Sequence, residues 1–453
     1  MDDEINAWRK AWTEKHGEPM RLRVDPTTKD LLRWEEGVYQ NLCVTPMDWH
    51  STIAGESHWF IRPDRARDLH WALVAETPRL RDEDRHDLLH EEPWINFRNG
   101  VLDLRTGTLR PHGEEWTTTY QVPWDYTDQE IIERDTEALD WFLKKATDQE
   151  TAEVLWRIFG YALAGGNPDQ ALVILYGPAG SGKGTISSVL RTMLGPEGYA
   201  SLTLAKMGGR FTSHLLYGKP VNIAGDVAGG TIPRYEDLLS LTGGDPIHGD
   251  RKGREGIDFT WRGLLLLSTN DVLSLPRGVS SRTGWWRRAH YIEVDHPPLA
   301  EGERVNSRVL MDRLLPNPAA AASRAVRSIS EAVQSNDGRL IVPSRAMVAA
   351  SGKARLTGDA VADWATSRLD RAEGRSVEGS DAWRDFGLWA ATNGAKYPHG
   401  ARRFYSDLEA VMKREGLGHR DNTRTETSRC RFVGVTLAPE QEIFRPNVLT
   451  YRN

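Results

Sequence analysis

Apolar positions change their spacing on either side of one glycine-rich segment. Residues 171–176 form an apolar run of strand length, whereas Ile186, Val189 and Met193 recur at helical spacing. A short run bounded by glycine favours a buried strand, and the later period of three to four favours an amphipathic helix. The sequence therefore predicts strand, glycine loop and helix over residues 171–194.

The same patterns predict the other main elements. A charged helix is expected over Asp2–Lys15, followed by a polar stretch, and a hairpin is expected within 95–112, where Asn-Gly and Thr-Gly pairs mark turns. Further helices are predicted over Arg65–Val74, Asp135–Ala164, Val309–Val333, Asp381–Thr392 and Ala401–Glu415, and further strands over Lys219–Ala224, Arg262–Thr269 and 428–437.

These elements predict an α/β protein with several domains. We expect an N-terminal extension (1–40), a mostly helical domain (41–166), a phosphate-binding core (167–335) and a C-terminal domain (345–453). The C-terminal domain is predicted to contain two helices followed by strands, an order that fits a winged-helix unit.

Composition excludes few classes of protein. Hydrophobic residues make up 39% of the chain and charged residues 27%, as in ordinary globular proteins. No apolar run is long enough for a membrane span, the first residues do not resemble a signal sequence, and the two cysteines lie far apart, so we expect a cytoplasmic protein without zinc or disulfides. The net charge of −6 argues mildly against a nucleic-acid partner.

The chain has 17 tryptophans. A base-stacking role is open for one or two of them, and those expected in cores are at 71, 94, 141, 156, 285 and 286.

The glycine loop has the chemistry of a triphosphate site. In G-x4-G-K, small residues let backbone N–H groups surround a phosphate, and the lysine neutralises its oxygens. The usual hydroxyl after the lysine is Gly184, so Thr185 is the candidate for the Mg²⁺ side. The nucleotide-binding residues predicted are Gly177, Pro178, Ala179, Gly180, Ser181, Gly182, Lys183, Gly184 and Thr185.

An ATP-hydrolysing core also needs an acidic group, a polar sensor and often an arginine. Asp226 follows a predicted strand and is the acidic candidate, which would also bind metal. Asn270 ends the next buried strand, and Arg287 and Arg288 precede another. Each has a simpler interpretation, as a turn aspartate, a helix cap or a surface pair.

Two basic segments are candidates for nucleic-acid contact. Arg251, Lys252 and Arg254 lie in a charged loop tip between strands, where a phosphate backbone could bind. The last predicted helix carries Arg402, Arg403, Lys413 and Arg414. An exposed hairpin and a solvated basic helix face explain the same charges equally simply.

The order of these motifs resembles the superfamily 3 helicases. The closest group is the phage/plasmid primase-helicases related to poxvirus helicase-primase. The similar order is a phosphate loop, an acidic strand end, TGGDP, DRK, a strand ending in STN, and then RR. DRKGREG resembles the pore hairpin of papillomavirus helicases, and INFRNGVLDLRTGTLRPH resembles the domain that precedes the ATPase in the phage group. The similarity spans about residues 40–440.

The resemblance implies an AAA+ core that forms a hexameric ring, binds ATP and Mg²⁺ between subunits and moves on single-stranded or forked DNA. Asp226 and Asn270 would be acidic residue and sensor, Arg288 the finger offered to the neighbouring subunit, and Lys252 with Arg251 the pore contact. A separate primase or polymerase would be a partner, because about 40 N-terminal residues are too few for a priming domain. Gly225 stands where relatives often have a second carboxylate, which leaves the general base open.

Two other functions fit parts of the sequence. The GKGT loop is shared with adenylate kinases, so a small-molecule phosphotransferase is one alternative, although no arginine-rich lid follows the core. A nucleotide-binding ring that loads or anchors replication proteins, with little hydrolysis, is the other.

Overall fold

The computed structural model describes most of the chain and divides it into two compact units. The first contains 1–227, 236–270 and 292–346, and the second contains 228–235, 271–291 and 347–453. The described residues are 2–17, 19–43, 63–81, 87–113, 116–207, 209, 211–227, 232, 235–252, 254–273, 283–296, 306–335, 338–358, 360–393, 395, 397, 399–423 and 430–438. The expected boundaries at 40 and 166 both lie within the first unit, and the predicted domain division stays a prediction.

A five-stranded sheet has four of its strands wholly in the first unit, and its fifth strand crosses the division between residues 291 and 292. Its strand order is β13-β7-β12-β9-β8, with β7 (Leu172–Tyr176), β8 (Tyr199–Ala200), β9 (Val221–Val227), β12 (Leu264–Thr269) and β13 (Ala289–Glu293). The pairs β7–β12, β12–β9 and β9–β8 are parallel. Every residue of β7 and β12 is buried, as expected for strands covered on both faces.

Long helices pack around this sheet. They are α3 (Gln129–Ala146), α4 (Gln149–Ala164), α5 (Lys183–Leu194), α9 (Ser307–Leu314) and α10 (Pro318–Ser335). Helices α4 and α10 cross at Gly160, where a Cβ atom would overlap the carbonyl oxygen of Ala325. Ala320, Ala321 and Ala322 of α10 are fully buried. Small side chains thus let these two backbones approach closely.

The helical segment predicted over Asp135–Ala164 is confirmed, but it is divided between two helices, because α3 ends at Ala146 and α4 begins after Asp148. The Asp148 carboxylate accepts the N–H groups of Glu150 (2.9 Å) and Thr151 (3.1 Å). An aspartate in this position caps a new helix by satisfying its first free amides. The apolar periodicity of α3 and α4 alone did not reveal this break.

A polar cluster joins α3, α4 and α10. The Arg324 guanidinium donates to Thr136 Oγ1 (3.0 Å) and Asp140 Oδ1 (2.7 Å) and lies 4.5 Å from the Trp156 ring centre. Burial raises the pKa of Asp140, but the hydrogen bond from Lys144 and the Arg324 charge outweigh it and lower that pKa overall. The cluster fixes how the three helices sit on one another.

The N-terminal part contains short strands, of which its sequence pattern predicted only the hairpin within 95–112. They form two antiparallel three-stranded sheets, β1-β2-β3 and β4-β5-β6. The second sheet confirms the predicted hairpin, whereas the first replaces the expected polar stretch. The elements are α1 (Asp2–His16), β1 (Leu22–Val24), β2 (Leu31–Glu35), β3 (Val38–Cys43), α2 (Pro63–Glu76), β4 (Trp94–Phe97), β5 (Gly100–Asp103) and β6 (Leu109–Arg110).

A two-stranded hairpin, β10 (Pro246–Arg251) with β11 (Arg254–Thr260), follows α7 (Tyr235–Gly243). Short helices α6 (Leu204–Met207) and α8 (Thr283–Arg288) complete the central region. Within the described residues, no helix has the length and apolar character needed to cross a membrane.

The C-terminal part of the second unit, as far as the structure describes it, combines four helices with a three-stranded antiparallel sheet of order β14-β16-β15. Its elements are α11 (Arg345–Gly358), α12 (Ala360–Arg368), β14 (Leu369–Glu378), α13 (Gly379–Asn393), α14 (Ala401–Glu415), β15 (His419–Asp421) and β16 (Arg431–Leu437). Trp364, Phe386 and Phe404 form the aromatic centre of its core. The predicted helices α13 and α14 and strand β16 are confirmed, while β14 was not predicted.

The tryptophan predictions hold only in part. Trp94, Trp156 and Trp285 are buried, as expected. Trp71 and Trp141 are instead 53% and 57% exposed. Both lie on helices, one position away from a buried residue (His70 and Phe142), so that the helical rotation carries them to the solvent side.

Candidate functional site

The loop between β7 and α5 has a backbone that requires glycine. Gly177, Gly180 and Gly182 have φ angles of 151°, 82° and 100°, which side-chain-bearing residues rarely adopt. A Cβ atom on Gly177 would overlap the carbonyl oxygen of Val294, and one on Gly182 would lie 3.0 Å from Phe142 Cζ. The loop therefore requires glycine for two reasons, its positive φ angles and the close packing of Val294 and Phe142 against it.

Lys183 begins α5 and points back into the loop. Its Nζ donates to the carbonyl oxygens of Gly177 and Pro178, both at 2.7 Å, and lies 3.4 Å from Ser181 Oγ. Only 7% of the lysine is exposed, whereas Pro178 and the two residues after it are exposed. A buried ammonium thus lies beneath a loop whose outer side faces solvent.

The next two positions differ in their surroundings. Gly184 is exposed, and a Cβ atom there would meet nothing within 4 Å. Thr185 is half-buried one residue further along α5. The space at Gly184 shows that sterics do not demand glycine there, in contrast to Gly177.

Strand register brings three predicted residues to one edge of the sheet. Tyr176, Thr269 and Val227 are paired across β7, β12 and β9. Because these strands are parallel, Gly177 and Asn270 follow at the same edge, and Asp226 comes one residue before Val227. Asn270 is exposed, and the side chain of Asp226 lies outside the described atoms. This is the carboxyl edge, where open α/β sheets bind ligands.

The β10–β11 hairpin carries the three predicted basic residues in different environments. Lys252 is exposed at the tip. Arg251 Nε donates to the backbone oxygen of Glu255 (2.9 Å), and burial together with the charge of Arg254 lowers the pKa of Arg251. Arg254 forms an ion pair with the Asp30 carboxylate. Of these three residues, Lys252 is therefore the one whose side chain is exposed to solvent at the hairpin tip.

Asp25 and Asp30, which sequence reasoning missed, lie between β1 and β2 and hold this hairpin to the sheet β1-β2-β3, Asp30 beside the hairpin tip and Asp25 through Tyr217. Both carboxylates are buried, and Asp25 accepts the Tyr217 hydroxyl at 2.8 Å. Tyr217 in turn packs edge-on against Phe259 of β11. Asp30 lies 224 residues before its partner Arg254, a separation that no local pattern could have revealed.

The remaining basic candidates lie in the second unit. Arg288 ends α8, where Arg287 is exposed and Arg288 is half-buried. On α14, Arg402 and Lys413 are exposed, while Arg403 forms an ion pair with Asp407 at 3.0 Å. The side chain of Arg414 lies outside the described atoms.

The site and fold thus define an α/β protein with a phosphate-loop-like turn at the carboxyl edge of a parallel sheet. Residues 2–152 match a family described as D5 N terminal like, and residues 175–288 match a family of unknown function, DUF5906. The first match supports a DNA replication protein of phage primase-helicase-like type.

Solved structures extend the likeness to the whole fold. An apo structure of the NrS-1 C terminal region (305–718) is similar with a TM-score of 0.52 at 12% identity, covering 95% of this chain and 99% of that one. The A form apo structure of the same region gives a TM-score of 0.51 at 12% identity, with 95% and 98% covered. At this identity the similarity shows a shared fold.

Proposed function

We propose that this protein is an ATP-dependent helicase or translocase with an AAA+ core of superfamily 3 type, acting on DNA during phage, prophage or plasmid replication. The observation that carries the proposal is the glycine loop. Its left-handed glycines and the buried Lys183 lie between a fully buried strand and a helix N-terminus. That arrangement suits a nucleoside triphosphate better than any other ligand.

The residues of the loop fit the phosphates of ATP. The loop N–H groups and the positive end of α5 would bind phosphate oxygens. The ammonium of Lys183 would exchange its two carbonyl partners for phosphate oxygens, so its charge stays paired throughout.

The Thr185 hydroxyl and the Asp226 carboxylate are the oxygen ligands that would hold Mg²⁺. The ion, when bound, neutralises charge on the phosphates. Asn270 would orient a water molecule or a γ-phosphate oxygen from the same sheet edge, while Arg288 would act on the site of a neighbouring subunit in a homo-hexamer.

For DNA, Lys252 at the exposed hairpin tip would contact the phosphate backbone of a single strand, supported by Arg251 and Arg254. The second unit would act as a winged-helix domain. Its order of helix, strand, two helices and two strands, with sheet order β14-β16-β15, supports that assignment.

The first experiment measures ATP hydrolysis by the full chain with and without single-stranded DNA. We expect stimulation by DNA, and we expect Lys183→Ala to abolish turnover. Lys206→Ala, which removes an exposed lysine elsewhere in the same unit, is the matched control and should retain it. Turnover that is indifferent to DNA would argue against a helicase.

The second experiment measures DNA binding against salt. Lys252→Ala should weaken single-strand binding and lower the slope of log K against log salt by about 0.7, the value for one phosphate contact. Lys10→Ala, which removes a lysine whose side chain is 78% exposed, should leave that slope unchanged. An unchanged slope in Lys252→Ala would remove the hairpin from the DNA site.

One feature favours a second candidate, a ring that assembles on ATP but hydrolyses little. Gly225 precedes Asp226, so β9 ends with one carboxylate instead of two. If ATP drives assembly on DNA while hydrolysis stays at background, this loading or anchoring role replaces the helicase.

A further inference from the structure

An aromatic cluster lies beside the glycine loop. The His296 ring stacks on Phe142 with 5.8 Å between ring centres and an angle of 28° between the planes. Trp141 approaches the same imidazole edge-on, with 6.5 Å between centres. Phe142 is buried, whereas Trp141 is 57% exposed. The cluster therefore has a buried base and an open indole.

The chain segment that carries His296 passes directly behind the loop. The carbonyl oxygen of Val294 occupies the space that a side chain on Gly177 would need, and Val294 Cγ1 lies 3.9 Å from the Cβ position of Gly182. The amide of Asp295 donates to the carbonyl of Ala146 at the end of α3 (2.9 Å). This hydrogen bond holds the segment against the helix that carries Trp141.

Phe142 links the cluster to the loop itself. Its Cζ atom lies 3.0 Å from the Cβ position of Gly182, the residue that caps α5. The aromatic rings thus adjoin the phosphate-binding turn on the side of strand β13, which neighbours β7 in the sheet. A nucleotide with its phosphates in the loop could extend its base over these rings.

We infer that Trp141 and His296 form the platform on which the base of a bound nucleoside triphosphate stacks, an inference that rests on the proposed nucleotide site. The exposed indole of Trp141 is next in the chain to Phe142, the residue that contacts the loop at Gly182, and this position distinguishes it from exposed tryptophans elsewhere. Stacking on a nucleobase covers that apolar surface. The amphipathic rings also suit a ligand that is flat and apolar on its face but polar at its edge.

Stacking on these two rings gives a distinct pattern of specificity. It depends on the face of the base and does not depend on hydrogen bonds at its edge. We therefore expect ATP and GTP to bind with similar affinity and both to bind more tightly than UTP, because purines have the larger face.

The test compares ATP with inorganic tripolyphosphate, which has the phosphates but no base, in equilibrium binding to the full chain. Trp141→Ala should weaken ATP binding roughly tenfold, the effect of losing one base–aromatic stack, and should leave tripolyphosphate binding unchanged. Trp141→Phe should restore part of the loss. His296→Ala should also weaken ATP selectively.

Trp71→Ala is the matched control, because Trp71 is 53% exposed on α2 and has no role in the platform. It should bind both ligands as the unaltered chain does. If Trp141→Ala binds ATP normally, or loses ATP and tripolyphosphate equally, the platform is overturned while the phosphate site stands. If the unaltered chain binds neither ligand, the nucleotide site fails and the platform with it.

Discussion

The glycine loop and the β10–β11 hairpin hold their positive charges in different ways. Lys183 is bound by two carbonyl oxygens of its own loop, five and six residues away. Arg254 is bound by Asp30, a buried carboxylate in the connection between strands β1 and β2 of the N-terminal sheet β1-β2-β3. One cation is held by its immediate neighbours in the chain, and the other by a distant part of the fold.

The loop and the hairpin therefore depend on different parts of the fold for their shape and position. The shape of the loop follows from its own backbone and the strand and helix that flank it. The position of the hairpin follows also from the N-terminal sheet, through Asp30 and through the contact of Asp25 with Tyr217. Changes in the N-terminal sheet should therefore reach the hairpin and spare the loop.

The largest expected effect comes from changing the loop backbone itself. Gly177→Ala places a Cβ atom against the Val294 carbonyl at a positive φ angle, and the backbone conformation alone costs about 1–3 kcal/mol. We expect ATP binding to be lost in equilibrium titration while the far-UV circular dichroism of the chain is retained.

Gly184→Ala is the matched change, since it adds the same methyl group to open space on α5. It should bind ATP normally and unfold at the same or a slightly higher temperature, as expected for alanine in a helix. Equal damage from both substitutions would show that the loop does not owe its shape to Gly177.

The second effect tests the link between hairpin and N-terminal sheet. Asp30→Asn leaves Arg254 without its anionic partner, and we expect the free energy of unfolding to fall by about 1–3 kcal/mol, toward the lower end because the Arg254 side chain is 27% exposed. Chemical denaturation measures the loss, and ATP binding should not change.

A double-mutant cycle with Arg254→Ala isolates the pair, because the two losses should not add if the residues act together. Strict additivity would mean that Asp30 stabilises the N-terminal sheet without holding the hairpin. Lys252→Ala, at the solvent-exposed tip, serves as the hairpin variant expected to leave stability unchanged.

The smallest effect concerns His70, which is buried beside the Asp30–Arg254 pair. Burial lowers the pKa of His70 most, Asp30 opposes that shift, and Arg254 adds to it. The unfolded chain therefore binds a proton at a higher pH than the folded one, so stability is intact above about pH 6.5 and falls as the pH decreases below it.

Replacing His70 by glutamine should make the loss of stability between pH 7 and pH 5 shallower by less than about 1 kcal/mol. Thermal unfolding across that pH range measures it. The control is His419→Gln, at an exposed position of β15, which should retain the full acid sensitivity. A steeper loss in the His70 variant would contradict the burial effect.

Sequence reasoning succeeded where a feature is contained in one stretch of chain. Strand β7, the loop and α5 all follow from local spacing and from glycine chemistry, and the helix predicted over Ala401–Glu415 has the observed bounds of α14. The register of β7, β9 and β12 places Asn270 after β12, as predicted, whereas β9 runs on to Val227, so Asp226 lies within that strand and not after it. The roles of both residues stay predictions.

Sequence reasoning did not predict the features that depend on partners elsewhere in the fold. Strand β14 has a break in register between Arg371 and Ser376 and a mostly exposed middle, so it lacks the alternation that marks a strand. Trp141 was expected in a core because its neighbours in sequence are apolar, whereas the helix turns it outward. Asp30 has no local pattern that indicates Arg254.

The close crossing of α4 and α10 at Gly160 and Ala325 has a practical consequence for dissecting this chain. These helices lie on opposite sides of the glycine loop in the sequence, one before residue 167 and the other after the last strand of the five-stranded sheet. A fragment that starts at 167 would lose α4 and leave Ala325 and Ile329 of α10 open to water. The shortest fragment able to retain the loop in its native shape should therefore begin before Gln129 and continue through Ser335.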